Sequence, residues 1–216
     1  MVKSRKKMAI IKTKKELKFY IMADRIMNGC APKATLKEWL KVRFLCKERI
    51  IDYLKYMRKL NYYEHQKGVF NKLMAIFYKR KYNAIELQLR IHIDENTCGY
   101  GLVLPHAHCY RIGAKNTIGK YAVIQGEAFM TASNCTIGDF FYAAVGSIMI
   151  GPMTLGDGVS VAANSLVNKS CGSNVLLAGS PASVKKENYP LWIERDGGRW
   201  TEKVNRVERL KEEMQI

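Results

Sequence analysis

The spacing of apolar residues changes once along the chain, near residue 91. Upstream it is helical. Lys14 to Met27 is an amphipathic run closed by Asn28-Gly29, a pair suited to a helix C-terminus. After Pro32, Thr35-Leu-Lys-Glu38 has the form of a capping box, in which hydroxyl and carboxylate satisfy the first free amides. Leu36, Trp39, Leu40, Val42, Phe44 and Leu45 follow as its apolar positions. The pattern predicts further helices over 46–60 and 62–83, where Tyr and Phe alternate with lysines and read as helix–helix packing surface. Downstream, the helical period is lost and glycines become frequent.

A six-residue period replaces it. Ile112-Gly113, Ile118-Gly119, Ile124 and Met130 share one phase; after one extra residue, Ile137-Gly138, Ala143, Met149, Leu155-Gly156, Val161 and Val167 continue. Small or β-branched residues (Ala122, Ala128, Ser147, Val159 and Ser165) stand four places after five of the leading positions. Neither an α-helix nor a β-strand repeats every six residues. A triangular coil does: each hexad makes one face, about 18 residues make a turn, and parallel strands stack along the axis. The leading aliphatic residue points inward and small residues allow tight corners. The predicted fold class is therefore α+β, with a helical domain at 1–90, a parallel β-helix at 91–182, and a tail at 183–216. Within the tail, Trp200 to Met214 has the charge alternation of an exposed helix suited to surface or intersubunit packing.

Charge follows the same division. The net +17 resides wholly in residues 1–90, with 24 Lys+Arg against 7 Asp+Glu, whereas residues 91–216 carry 12 of each. A basic face suits a solvated helical surface, an anionic membrane or a polyanion. No nucleic-acid-binding signature accompanies it, so nucleic acid is not expected as a partner. No apolar stretch approaches the ~18–20 residues of a bilayer span, and the start lacks a signal-peptide apolar core. A cytoplasmic location, with peripheral contact at the inner membrane face, is the expectation. The six cysteines show no CxxC pair or zinc-ligand spacing and read as reduced fillers; no metal is expected.

Three stretches carry a resemblance: Gly99-Tyr-Gly-Leu-Val-Leu-Pro-His106 with Ile112-Gly113; Ile137 to Gly151; and Val161-Ala-Ala-Asn-Ser-Leu-Val-Asn-Lys169 running on to Gly179-Ser-Pro-Ala182. Over roughly residues 91–183 the chain resembles the hexapeptide-repeat acyltransferases, and within them the serine acetyltransferase-like branch that includes polysaccharide O-acetyltransferases. The resemblance implies a left-handed coil, acetyl-CoA as donor, and a homotrimer with the donor slot between neighbouring subunits. By position, His106 resembles the branch's catalytic histidine. A neutral imidazole suits removal of a hydroxyl proton, and the imidazolium can then protonate the departing thiolate. The alternative for a lone histidine at a turn is capping a backbone carbonyl. Ala144, Gly146, Ala162 and Ala163 match the small positions lining the pantetheine arm. Lys169 matches a phosphate-binding lysine, with Lys185 or Lys186 assisting, against the alternative of ordinary surface lysines.

The departures bear on the acceptor. The aspartate that orients the branch's histidine has no counterpart in register, with His92 and Asp94 as the nearby substitutes. The expected glutamate after Ile112-Gly113 is Ala114. Met130-Thr-Ala-Ser-Asn-Cys135 replaces a longer glycine-rich loop bearing an Arg-His pair. These differences favour a sugar hydroxyl of a surface polysaccharide or its precursor as acceptor, over the serine of cysteine biosynthesis. An inert β-helix serving as a scaffold is the third reading.

Overall fold

A computed structural model of the chain describes residues 10–36, 38, 40, 49–105, 109–130 and 134–216. An α-helical N-terminal region leads into a parallel β-solenoid and ends in a short C-terminal helix. Helix α1 spans Lys14–Met27 and opens on a capping box: Glu16 N donates to the Thr13 hydroxyl at 3.0 Å, and Thr13 N donates to the Glu16 carboxylate at 3.0 Å. Asn28 closes it, and the Asn28 amide also donates to Leu102 O at 2.8 Å, fastening the helix end to the solenoid. The capping pair expected at Thr35 and Glu38 is formed in both directions at 3.2 Å, and Glu38 also pairs with Arg25 at 2.6 Å. Trp39, Val42, Phe44, Leu45 and Cys46 lie outside the described residues.

Helix α2 covers Ile50–Glu64 and α3 covers Val69–Leu89. The break between them falls later than the sequence pattern predicts, for a physical reason at Asn61. Its side chain is buried within α2, accepting from Ile11 N at 2.9 Å and donating to Glu95 O at 3.0 Å, so it clamps the helix instead of ending it. The chain breaks at Gly68, whose φ of +103° few other residues adopt.

The solenoid has three faces of two-residue strands. The first face orders β1 (His92–Ile93), β2 (Arg111–Ile112), β5 (Phe129–Met130), β8 (Ile148–Met149) and β11 (Leu166–Val167). The second contains β3 (Thr117–Ile118), β6 (Thr136–Ile137) and β9 (Thr154–Leu155), extended by bridges at Cys98 and Cys171. The third contains β4 (Val123–Ile124), β7 (Tyr142–Ala143), β10 (Ser160–Val161) and β12 (Leu176–Gly179), with β13 (Ala182–Lys186) returning antiparallel on β12. In each strand from β2 to β11 the second residue is the leading residue of a hexad, and none of these is more than 2% exposed. Burial of this aliphatic column, at about 25 cal/mol per Å² of apolar surface, is the main force closing the coil.

The corner between second and third faces shows why glycine follows the isoleucine. Asp139 Oδ1 accepts from Lys120 N at 3.1 Å, Asp157 Oδ1 from Asp139 N at 2.7 Å, and the Ser173 hydroxyl from Asp157 N at 3.1 Å. This ladder of side chains crosses from coil to coil through the space a Cβ would fill: one on Gly138 would lie 2.2 Å from Asp157 Oδ1.

Helices α2 and α3 cover the open end of the first coil. Tyr53 Oη accepts from Ile93 N at 3.0 Å, while the Tyr82 hydroxyl donates to Ile93 O and receives one from Tyr53 at 2.8 Å. The edge strand β1 thereby loses its free pairing groups. Beneath α1, a buried ion pair joins the layers. Arg58 Nε reaches Asp24 Oδ2 at 2.8 Å, and its other nitrogens donate to Cys98 O and Gly99 O, each at 2.6 Å. Asp24 Oδ1 also accepts from Gly101 N and Leu102 N at 2.8 and 3.0 Å. Burial pushes the Asp24 carboxyl upward, and the guanidinium and two amides oppose that push.

Helix α4, Arg199–Glu213, has one buried side rather than full exposure. Val204 and Val207 pack with Phe19, Ala23 and Tyr121. Glu208 on it accepts from Tyr121 Oη at 2.7 Å, Tyr100 Oη at 3.1 Å and Lys120 Nζ at 3.2 Å.

Candidate functional site

The corner between the third and first faces collects most of the sequence-predicted site residues. Elsewhere this corner is a four-residue turn, as at 125–128, 144–147 and 162–165. Between the first and second coils it lengthens to 105–110, because Val103 pairs with Val123 and β2 begins at Arg111. That segment contains His106 and His108, both outside the described residues. Pro105 and Cys109 border them. The buried Tyr110 donates its hydroxyl to Pro105 O and so joins the described residues on either side of them.

Two coils further along the axis, Ala144 N donates to Val161 O at 3.0 Å, and in the next coil Ala162 N donates to Leu177 O at 2.9 Å. The register Ala143↔Val161 therefore stacks Ala144 over Ala162. Gly146 and Ala163 belong to the same two turns. Together they form a strip of small, partly exposed residues along one edge of the prism. Gly146 also has a structural duty: its φ is +69°, and a Cβ there would lie 2.1 Å from Asn164 Oδ1. Its lack of a side chain is required by packing as well as suited to a ligand.

Lys169 is not brought to that edge. It is exposed in the segment between the first and second faces of the last coil, one face of the triangle away. Lys185 and Lys186 are exposed on β13 at the far end of the third face. The two substitutes for an orienting aspartate are engaged locally. His92 Nδ1 pairs with Glu86 of α3, and Asp94 Oδ1 accepts from Asn96 N at 3.0 Å. Among the described residues, no three His, Cys, Asp or Glu side chains gather as a metal site would require.

A pocket of about 240 Å³ opens beside Pro105. Its floor is the outward surface of the third face, at Val103, Val123 and Tyr142. Its roof is the tail, where Trp192 and Trp200 meet edge to face at 5.1 Å and Trp192 Nε1 donates to Tyr121 O at 3.0 Å. Gln125 donates to Tyr142 Oη at 2.6 Å on the corner side. Arg195 completes the lining. Its Nε and Nη2 are held by Pro190 O at 3.2 and 3.0 Å, Nη2 also reaches Ser160 Oγ, and its Cζ lies 4.2 Å from the Tyr189 ring centroid. Burial lowers the affinity of Arg195 for its proton, and no carboxylate among the described residues forms an ion pair with it. The neighbouring Glu194 carboxylate acts on Arg195 through space without forming an ion pair with it, and a guanidinium so held, walled by aromatic rings, is equipped to receive an anionic group.

Sequence reasoning missed this pocket. Arg195 is about ninety residues from Pro105, and the only signal was the aromatic and proline content of Tyr189-Pro-Leu-Trp192 in a stretch otherwise read as tail.

No protein-family model matches the chain. Solved structures do. The serine acetyltransferase of Neisseria gonorrhoeae superposes with a TM-score of 0.61 at 17% identity, over 85% of this chain and 70% of that one. The same enzyme in complex with serine gives 0.62 at 18% identity, over 80% and 70%. A serine acetyltransferase in complex with CoA gives 0.51 at 16% identity, over 78% and 84%. The likeness is one of fold.

Proposed function

We propose that the chain transfers an acetyl group from acetyl-CoA to the hydroxyl of a small carboxylate-bearing acceptor of the serine class, with His106 as general base. The observation that carries the acceptor class is Arg195, a guanidinium with no ion pair among the described residues, in a pocket whose wall includes Pro105, the residue before His106. The departures in sequence removed one cationic pair from the chain; the tail supplies another cation from a different direction. The fold neighbours support the same choice, since they are named as serine acetyltransferases and two of them hold serine or CoA.

In this mechanism the acceptor oxygen attacks the thioester carbonyl carbon while the His106 imidazole takes its proton. Collapse of the tetrahedral species breaks the C–S bond, and the imidazolium returns the proton to the thiolate. No acyl-enzyme forms. The strip at Ala144, Gly146, Ala162 and Ala163 is the proposed seat of the pantetheine arm. Lys169, a face away, is a proposed phosphate contact for a donor spanning that face. A homotrimer, with mass near three times the 24.7 kDa of one chain, would complete the slot with a neighbour.

A sugar hydroxyl is the second reading. The aromatic lining at Tyr142, Trp192 and Trp200 favours it, since such rings also stack on pyranose faces. Thiol release from acetyl-CoA, measured with L-serine and with a panel of sugars, separates the two. Serine-dependent release that falls by about 10²–10⁴ in His106→Ala is expected, with coenzyme binding retained. Turnover of sugars alone would overturn the acceptor assignment. Absence of both turnover and coenzyme A binding would leave an inert scaffold.

A further inference from the structure

Helix α3 carries a second surface that the proposed chemistry does not use. Its inner side, with Tyr78, Tyr82 and Ile85, packs against α2 and the first coil. Its outer side should be polar in a helix that ends at solvent. Instead Val69, Phe70, Leu73, Ile76, Phe77 and Leu87 are between 49% and 81% exposed. At about 100° per residue these six fall within an arc of about 120°. They form a continuous stripe rather than scattered exceptions, and such stripes mark contact surfaces.

The charges around the stripe select its partner. Between Gln66 and Ile85 there are five cations, Lys67, Lys72, Lys79, Arg80 and Lys81, and no Asp or Glu. Lys72 and Lys79 border the stripe on one side and Lys81 on the other, with Arg80 inside it. The acidic neighbours are engaged: Glu64 of α2 pairs with Lys79 midway along the helix at 3.5 Å, and Glu86 is occupied by His92. With Lys79 paired, a second copy of this face would still bring Lys67, Lys72, Arg80 and Lys81 against the same four cations across an apolar contact, which opposes self-association. An anionic lipid surface satisfies both parts, taking the apolar side chains among its acyl chains and the cations among its headgroups. Among the described residues no helix is long and apolar enough to cross a membrane, so the contact lies on the surface. We propose that the outer face of α3 docks the protein on an anionic membrane, lying in the interface plane with Leu73 and Ile76 at its centre.

The test is cosedimentation of the full chain with vesicles of phosphatidylcholine containing about 30% phosphatidylserine, against phosphatidylcholine alone. Binding to the anionic vesicles is expected, weakening as salt rises from about 0.1 to about 0.5 M. Leu73→Ser with Ile76→Ser should weaken it by about tenfold or more. Circular dichroism checks that the pair still folds. A second variant, Lys72→Gln with Arg80→Gln and Lys81→Gln, keeps the apolar stripe and should lose the preference for anionic vesicles. Failure of the parent chain to sediment, or equal sedimentation of both variants and parent, would overturn the proposal. So would light scattering in which the serine variant loses subunits while vesicles bind neither protein, because that assigns the face to a second copy.

Discussion

Replacing Arg58 by methionine removes a side chain that, with Asp24, ties α1, α2 and the first coil together. The guanidinium is fully buried and makes two contacts to Asp24 plus one each to Cys98 O and Gly99 O. Methionine fills much of the volume but leaves the Asp24 carboxyl without its cation and two carbonyls without donors. Breaking a buried pair by deleting one partner costs about 3–5 kcal/mol, far more than the pair's net worth against an apolar substitute of both. For a chain of 216 residues that corresponds to a fall in Tm of about 10 °C. Urea unfolding followed by far-ultraviolet circular dichroism measures it. Arg58→Lys retains the charge but not the fork, so an intermediate loss is expected. A loss below about 1 kcal/mol for Arg58→Met, the value of an exposed pair, would refute the role assigned to this contact.

Three further outcomes follow from named contacts. Glu208 is pushed up by burial but drawn below its ordinary 4.5 by hydrogen bonds from Tyr121, Lys120 and Tyr100. Its stabilisation is therefore present above that value and lost as the pH falls through the lowered pKa, so Glu208→Gln should flatten the acid limb of a stability–pH curve. Glu95 behaves oppositely: burial, then hydrogen bonding with Glu64, pushes it up to about 7. Its contribution is present below its ordinary pKa and lost as the pH rises through about 7, so Glu95→Gln should raise the urea midpoint at about pH 8 relative to the parent. Gly138→Ala places a Cβ 2.6 Å from Asp157 N and Gly156 C, and should cost about 1–3 kcal/mol. Gly172→Ala, with nothing within 4 Å, is the control expected to be near neutral in the same urea titration.

The hexad period was readable because each strand is only two residues long and its inner member repeats in sequence. Ile112, Ile118, Ile124 and Met130, and again Ile137 to Val167, sit where the period places them, with the extra residue between Met130 and Ile137. The first coil was harder to read, since it enters the stack through single bridges at Cys98 and Val103 that break the phase. The limits of α1 followed from its amphipathic run, whereas the break between α2 and α3 did not. The expected gap at residue 61 lies inside α2, where the buried partners of Asn61 hold the helix together. The Asp24–Arg58 pair and the Arg195 pocket left still less trace, because both join residues distant in sequence by side-chain contacts that periodicity does not encode. The corner strip at Ala144 and Ala162 was expected from the family resemblance, and the stacking register places these two residues one coil apart on the same edge.

A crystal structure of the chain with coenzyme A bound bears most directly on the proposed chemistry. The pantetheine is predicted to run along the corner at Ala144 and Ala162, with its thiol directed at the pocket bordered by Pro105 and Arg195. A coenzyme seated on another corner, or a thiol facing away from Pro105, would contradict it.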